Sequence, residues 1–242
     1  MSAISACLFD YGNTLVPFDR EQTDAILCGL AKFLRARGQT ADQDRLQADM
    51  TEVCRLPYRS KERAMREHPP LVQMALLLER SLDRAFDLDD PLVVAANDEL
   101  QRLFVASVSV EADVVDFLRQ VSARLPIGLV SNYPCGAAIR RSLDATGLRA
   151  SLPIVVVSGD VGWVKPHHVP FQAALDELSC PPEEVIFVGD RWDADMIGAS
   201  ALGMITCHHV GYTSDRDLRE RYEAYRPHHT IEHVRELEGI LR

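Results

Sequence analysis

The sequence holds 242 residues, enough for one large domain or for a core that carries a substantial insert. Hydrophobic residues make up 47% and charged residues 26%, which supports a buried core and excludes a disordered chain. A formal net charge of -10 excludes a general binder of nucleic-acid backbones or acidic membranes, so an anionic ligand must be held by a local arrangement of groups.

The cysteines (Cys7, Cys28, Cys54, Cys135, Cys180 and Cys207) are scattered without a CxxC pair. They read as reduced, buried thiols, not as a disulfide or zinc framework. No apolar run approaches the roughly 20 residues that span a bilayer. The start of the chain lacks the basic flank and long apolar stretch of a signal peptide, so the expected location is the cytoplasm.

Residues 4–10 form a short apolar run that ends in Asp10 and enters a turn at Tyr11-Gly12-Asn13, the pattern of a buried strand. Residues 18–109 then contain no convincing strand. Their periodicity predicts helices over 23–37 (closed by Gly38), 41–54, 71–86 and 91–105. About ninety helical residues exceed any ordinary connection and read as a separate lid. Beyond it, helical patterns over 111–124, 137–146, 170–178 and 194–202 alternate with apolar runs over 126–131, 153–157, 184–188 and 203–207. The charged stretch 214–226 predicts a solvated helix, 228–231 a last short strand, and the end of the chain a helix through Leu241. Continuous apolar strands alternating with amphipathic helices imply a Rossmann-like α/β fold, a three-layer sandwich around a parallel sheet. The domain division expected is a core of residues 1–17 and 110–242, with an all-α cap over 18–109.

Open parallel sheets bind ligands at the carboxyl ends of their strands. Four residues suited to phosphoryl chemistry stand there or just beyond: Asp10, Ser131, Lys165 and Asp190. Any one of them is an ordinary turn residue; the ordered set of four, with a helical insert after the first, points to a site.

The motifs around them carry a resemblance. Phe9-Asp10-Tyr11-Gly12-Asn13-Thr14-Leu15 resembles the first motif of the haloacid dehalogenase superfamily, DxDGTL, and Leu129-Val130-Ser131-Asn132 the second. The stretch from Ser158 through Lys165-Pro166 is similar to the third, and Val188-Gly189-Asp190-Arg191-Trp192-Asp193-Ala194-Asp195 to the fourth. The lid matches a C1-type cap in position and helical character only. The resemblance implies a hydrolase, a phosphatase of phosphorylated small molecules, acting as a monomer or homodimer. It assigns Asp10 as the nucleophile that forms an aspartyl-phosphate. Asp10, Asp190, Asp195 and the Gly12 carbonyl would be the ligands of Mg²⁺. Thr14, Ser131 and the amide of Asn132 would bind the phosphoryl oxygens, and Lys165 would neutralise charge on Asp10 and on the phosphate.

One departure matters. The second carboxylate of the first motif, which protonates the leaving group in typical family phosphatases, is here Gly12. General acid-base help of this kind is worth about 10²–10⁴ in rate. Three consequences stay open: a substrate whose leaving group departs unprotonated (an anomeric sugar phosphate, an aryl phosphate or an acyl phosphate), an acid supplied from the lid with His68 as candidate, or weak catalysis. A 2-haloacid dehalogenase shares the missing acid, but Asp190 and Asp195 together would repel its carboxylate substrate. A non-catalytic binding module has no need of a charged cluster that is costly to bury. His167-His168 and His208-His209 read as loop and strand-end residues, Cys135 as an ordinary small residue, and Trp163 and Trp192 as bordering the cleft or packing beneath the lid.

Overall fold

Each apolar run read as a strand pairs into a single sheet. The computed structural model describes residues 3–59, 65–212 and 223–241. Its strands are β1 (Ala6–Phe9), β2 (Ile127–Ser131), β3 (Ile154–Val157), β4 (Val185–Gly189), β5 (Ile205–His209) and β6 (His229–Ile231). All neighbours pair parallel, in the order β3-β2-β1-β4-β5-β6.

The runs are continuous rather than alternating because both sheet faces are covered. Ala6 and Leu8 of β1 share one cluster with Val185 and Phe187 of β4, while Cys7 and Phe9 share another with Ile186 and Val188. Each large side chain so buried contributes about 1.5–3 kcal/mol. Gly128 in β2 serves this packing, since a Cβ there would lie 2.8 Å from Cβ of Ile154 on β3.

Four helices lie between β1 and β2: α1 (Arg20–Arg35), α2 (Gln43–Arg59), α3 (Pro70–Leu82) and α4 (Pro91–Ser107). Their ends follow local chemistry. Asp19 and Gln22 close a capping box on α1, Asp90 accepts from the Leu92 N–H at the start of α4, and proline opens α3 and α4. Leu30, Leu34, Leu46, Met74 and Leu77 meet in a third buried cluster. α4 spans both bodies of packing: Val93 and Ala96 belong to the helical cluster, Phe104 to a sheet-face cluster.

After the insertion come α5 (Ala112–Ser122), α6 (Gly136–Thr146), a short α7 (Ser158–Val161), α8 (His168–Leu178) and α9 (Ile197–Ala201). Phe117 of α5 and Ile139 of α6 pack on one face, Phe171 of α8 and Ala199 of α9 on the other, completing the three layers.

Several expectations are corrected. The helix expected over 194–202 begins earlier, as a wide π turn at Trp192–Met196, and only then tightens into α9. The final helix is a 3-10 segment, Val234–Gly239, capped by His233 and Glu236. The charged helix expected over 214–226 falls mostly outside the described residues. All six cysteines are free, but only Cys7 and Cys207, in β1 and β5, are buried. The other four sit on helices or beside them, where one side faces outward, and Cys54 is exposed. Among the described residues no helix is long and apolar enough to cross a membrane.

His209 closes β5 fully inside the protein, its ring 5.2 Å from that of Tyr212. Burial, reinforced by the charge of His233, holds its imidazole down at about 4. The unfolded chain therefore binds a proton in the window from about 6.5 to 4 that the folded chain refuses, so stability is complete above this window and falls as pH drops through it. Urea unfolding at pH 7 and 4.5 is expected to show a stability loss about 2 kcal/mol smaller in His209→Gln than in the parent. Equal losses would show that His209 does not carry this pH dependence.

Candidate functional site

The strand order fixes where a ligand can bind. The chain leaves β1, builds β2 and β3 on one side, then crosses back to place β4 on the other side of β1. The switch point therefore lies between β1 and β4, at their carboxyl ends. Asp10 follows β1 and donates its backbone N–H to the Val188 carbonyl at 2.8 Å, and Asp190 follows β4.

Lys165 enters this crevice from the loop before α8. Its ammonium donates to Asp10 Oδ1 at 2.6 Å and to the Val130 carbonyl at 2.6 Å, and lies 2.7 Å from Asp195 Oδ1. Lys165 is 1% exposed and Asp10 9%. The other Asp195 oxygen accepts the Arg191 N–H at 2.9 Å, held by the π turn. Gly189 makes room for it, since a Cβ at 189 would fall 2.7 Å from that of Asp195.

Asp10, Asp190 and Asp195 each bring a carboxylate oxygen within 4.8 Å of the others. Burial, then the neighbouring carboxylates, push Asp190 upward; burial does the same to Asp10 against the opposing pull of Lys165. Burial disfavours the Lys165 charge too, but Asp10 and Asp195 outweigh it and the amine is held above its ordinary range. Three hard oxygen donors against one ammonium leave an excess of negative charge, and this donor set suits a hard divalent cation such as Mg²⁺.

The turn after β1 is built by its own residues. Asn13 adopts φ 55, and its side-chain oxygen accepts the Phe18 N–H at 2.9 Å. Tyr11 anchors the turn from below through a buried hydrogen bond to Ser142 at 2.7 Å. Gly12 is not forced by packing, because a Cβ there would meet only Phe18 Cβ at 3.7 Å. Asn132 locks the Lys165 loop: its side-chain oxygen accepts the Lys165 N–H at 2.8 Å and its amide donates to the Lys165 carbonyl at 3.0 Å.

A cavity of about 170 Å³ brings together Asp10, Gly12, Ser131, Asn132, Lys165, Asp190 and Asp195. Thr14, the remaining residue of the expected set, is buried and does not line it; its Oγ1 has no hydrogen-bond partner among the described residues.

A second chamber, of about 320 Å³, adjoins the first and shares Phe18, Asn132 and Arg191 with it. Its walls come largely from α1–α4. The sequence reading proposed His68 as an acid from this region, but His68 lines neither cavity; its neighbour Glu67 lines the larger one. Glu67 accepts from Ser158 Oγ at 2.6 Å, the His68 N–H and Gln73, and burial raises its pKa. Tyr58 and Arg191 also line the chamber and were missed; nothing in helical periodicity singles out Tyr58. Trp163 and Trp192 line neither cavity. Trp163 stacks on His167 and carries the Arg66 guanidinium over its ring at 3.7 Å, while Trp192 donates to the Tyr225 carbonyl.

The sequence model of haloacid dehalogenase-like hydrolases matches residues 4–203. The chain belongs to that family. This hydrolase is 28% identical over 243 residues to the glyceraldehyde 3-phosphate phosphatase of Methanopyrus kandleri, covering 99% of this chain and 97% of the relative. In fold it is similar to a 2-haloacid dehalogenase of Pseudomonas syringae pv. tomato (TM-score 0.71, 20% identity, 98% of each chain). It is also similar to the HAD-hydrolase YfnB of Bacillus subtilis, solved bound to magnesium (TM-score 0.69, 17% identity, 99% of each chain).

In this hydrolase the Lys165 ammonium is what makes burial of Asp10 and Asp195 tolerable. Lys165→Met keeps the volume and removes the charge, and removing one partner of a buried ion pair costs about 3–5 kcal/mol. Urea unfolding in metal-free buffer is expected to show a loss of that size, and a loss below about 1 kcal/mol would refute the assignment.

Proposed function

We propose that this hydrolase is a Mg²⁺-dependent phosphatase that moves a phosphoryl group from a small organic phosphate to Asp10 and then to water. The observation that carries this reading is the trio of carboxylates at the sheet's switch point, held around one buried lysine with negative charge to spare. The full-length likeness to a glyceraldehyde 3-phosphate phosphatase supports phosphate-ester hydrolysis of a small molecule, without fixing its organic half. In the proposed division, residues 1–17 and 110–242 form the catalytic core and 18–109 a cap over the site. Free thiols suit a reducing cytoplasm.

Asp10 and Asp190 with the Gly12 carbonyl would hold the cation, Asp195 standing third in the set while it also positions Lys165. A bound Mg²⁺ offsets like-charge repulsion between Asp10 and the phosphate dianion. The chain's own groups do the rest. A carboxylate oxygen of Asp10 forms a bond to phosphorus as the bond to the ester oxygen breaks, and the electron pair leaves with that oxygen. Lys165 holds Asp10 oriented and balances charge on the transferred group. Ser131, which lines the carboxylate cavity, would donate to a phosphoryl oxygen. Asn132 would do so through its backbone N–H, since its side chain is engaged with Lys165 and Tyr58. Water then attacks phosphorus and releases phosphate and the Asp10 carboxylate.

With Gly12 in place of the acid, the departing oxygen receives no proton from that position, so rate should depend steeply on leaving-group pKa. A 2-haloacid dehalogenase would also tolerate Gly12, yet its anionic substrate would meet three clustered carboxylates with one ammonium beside them.

The test is phosphate release from esters of graded leaving-group pKa, with Mg²⁺ and with chelator, for the parent, Asp10→Asn and Gly12→Asp. Release should require Mg²⁺ and Asp10, and the parent should lose rate steeply as leaving groups become poorer. Gly12→Asp, whose Cβ would meet Phe18 Cβ at an ordinary 3.7 Å, should raise the rate on alkyl esters relative to aryl esters by at least about 10²-fold. Activity that survives Asp10→Asn, or a flat leaving-group dependence in the parent, would overturn the mechanism.

A further inference from the structure

We infer that the organic half of the substrate is an aromatic, largely apolar group, so that this hydrolase cleaves aryl phosphates in preference to phosphorylated sugars, trioses or short acids. The inference rests on the phosphatase reading above and narrows it.

The first support is the size and position of the larger chamber. Because it meets the carboxylate cavity at Phe18, Asn132 and Arg191, a phosphoryl group beside Asp10 projects its ester substituent there. Its volume of about 320 Å³ is at the lower end of the range for pockets that hold organic ligands, ~300–1,000 Å³. That is the space of about ten waters at ~30 Å³ each. A triose or a glycolate would displace few of them and leave apolar wall facing the rest.

The wall itself selects. Ile26, Leu27, Leu77 and Leu100 are aliphatic and come from three separate helices. Phe18, Phe104 and Tyr133 form an aromatic array leading inward from the junction. Phe104 stacks on Tyr133 with ring centres 4.3 Å apart, and Phe18 tilts against Phe104 at 5.9 Å. A planar ring extends such an array by the same offset and edge contacts.

Most polar side chains in the wall already have partners, Arg191 among them through Asp193. Gln101 accepts from the Tyr133 hydroxyl at 3.0 Å and donates to Asn97 at 3.3 Å. Glu67 accepts from Ser158, Gln73 and the His68 N–H, and the Tyr58 hydroxyl accepts from Asn132. A sugar ring needs donors and acceptors that are free to turn toward it, and those bonds would have to be broken first.

Gly12 closes the argument. Aryl, acyl and anomeric phosphates all release their oxygen without a proton from the enzyme, but an acyl group is too small for this chamber and a sugar too polar. The aryl ester fits both the missing acid and the wall. The bond from phosphorus to the phenolic oxygen breaks as the bond to Asp10 forms; the phenolate leaves with the electron pair and takes its proton from water.

The experiment measures kcat/KM with Mg²⁺ for 1-naphthyl phosphate, glucose 1-phosphate, acetyl phosphate and phosphoglycolate. Acetate is a better leaving group than naphtholate, so on reactivity alone acetyl phosphate would be the faster of the two, and that comparison separates fit from reactivity. The naphthyl ester should exceed each of the others by about 100-fold, and Phe104→Leu should reduce its advantage over acetyl phosphate by about tenfold. If glucose 1-phosphate, acetyl phosphate or phosphoglycolate matches it, and Asp10→Asn abolishes their release, the aryl inference is overturned and the phosphatase reading stands. Absence of Asp10-dependent release from all four overturns both.

Discussion

The ammonium of Lys165 holds the site together. It touches Asp10 from β1, the Val130 carbonyl from β2 and Asp195 from the turn after β4, so three strand ends are fixed relative to one another by one buried charge. Burying that charge is costly, and only the two carboxylates make it tolerable. Asp190 feels Lys165 and Arg191 only as weaker opposing charges, and burial and the neighbouring carboxylates drive it toward protonation. Such a cluster sits badly in an idle protein. The proposed function gives it a use, as a socket for a divalent cation and a phosphate.

The fold serves that cluster. Parallel pairing of β1 with both β2 and β4 brings their carboxyl ends level, and the strand order leaves a crevice there. Asn132, Gly189 and the π turn at Trp192–Met196 then make the local adjustments: one clamps the Lys165 loop, one admits Asp195, and one aims it. The helices between β1 and β2 contribute little to the charged cluster and much to the space beside it. Division of labour between a charged end and an apolar chamber follows from where the insertion enters the chain.

How much of this was legible in the sequence depends on whether the signal was local. The strands were readable because each is a short apolar run bounded by turn residues, and Asp10, Ser131 and Asp190 because they stand at or just beyond their ends; Lys165, in the loop before α8, was readable from its motif. Gly12 was visible as a departure, and the structure adds that no close packing requires it. The π turn was not legible, since Trp-Asp-Ala-Asp-Met reads like an ordinary helix start. Nor was the chamber: Phe18, Tyr58, Leu100 and Tyr133 are far apart in sequence and meet only in the folded chain. The choice of His68 failed for a related reason. Sequence offers a titratable residue before two prolines, but only the placement of the 65–69 segment decides that Glu67 and not His68 lines the cavity.

The central claim is that Asp10 itself receives the phosphoryl group. Gly12 removes the carboxylate that would activate water in the second displacement as well as the acid for the first, so the covalent adduct should accumulate during turnover. Rapid acid quench of the protein turning over phenyl phosphate with Mg²⁺, followed by peptide mapping, measures this directly. The account predicts a phosphorylated peptide containing Asp10 in a substantial fraction of molecules, lost on treatment with hydroxylamine. Steady turnover with Asp10 unmodified at every quench time, or an adduct on any other residue, would contradict it.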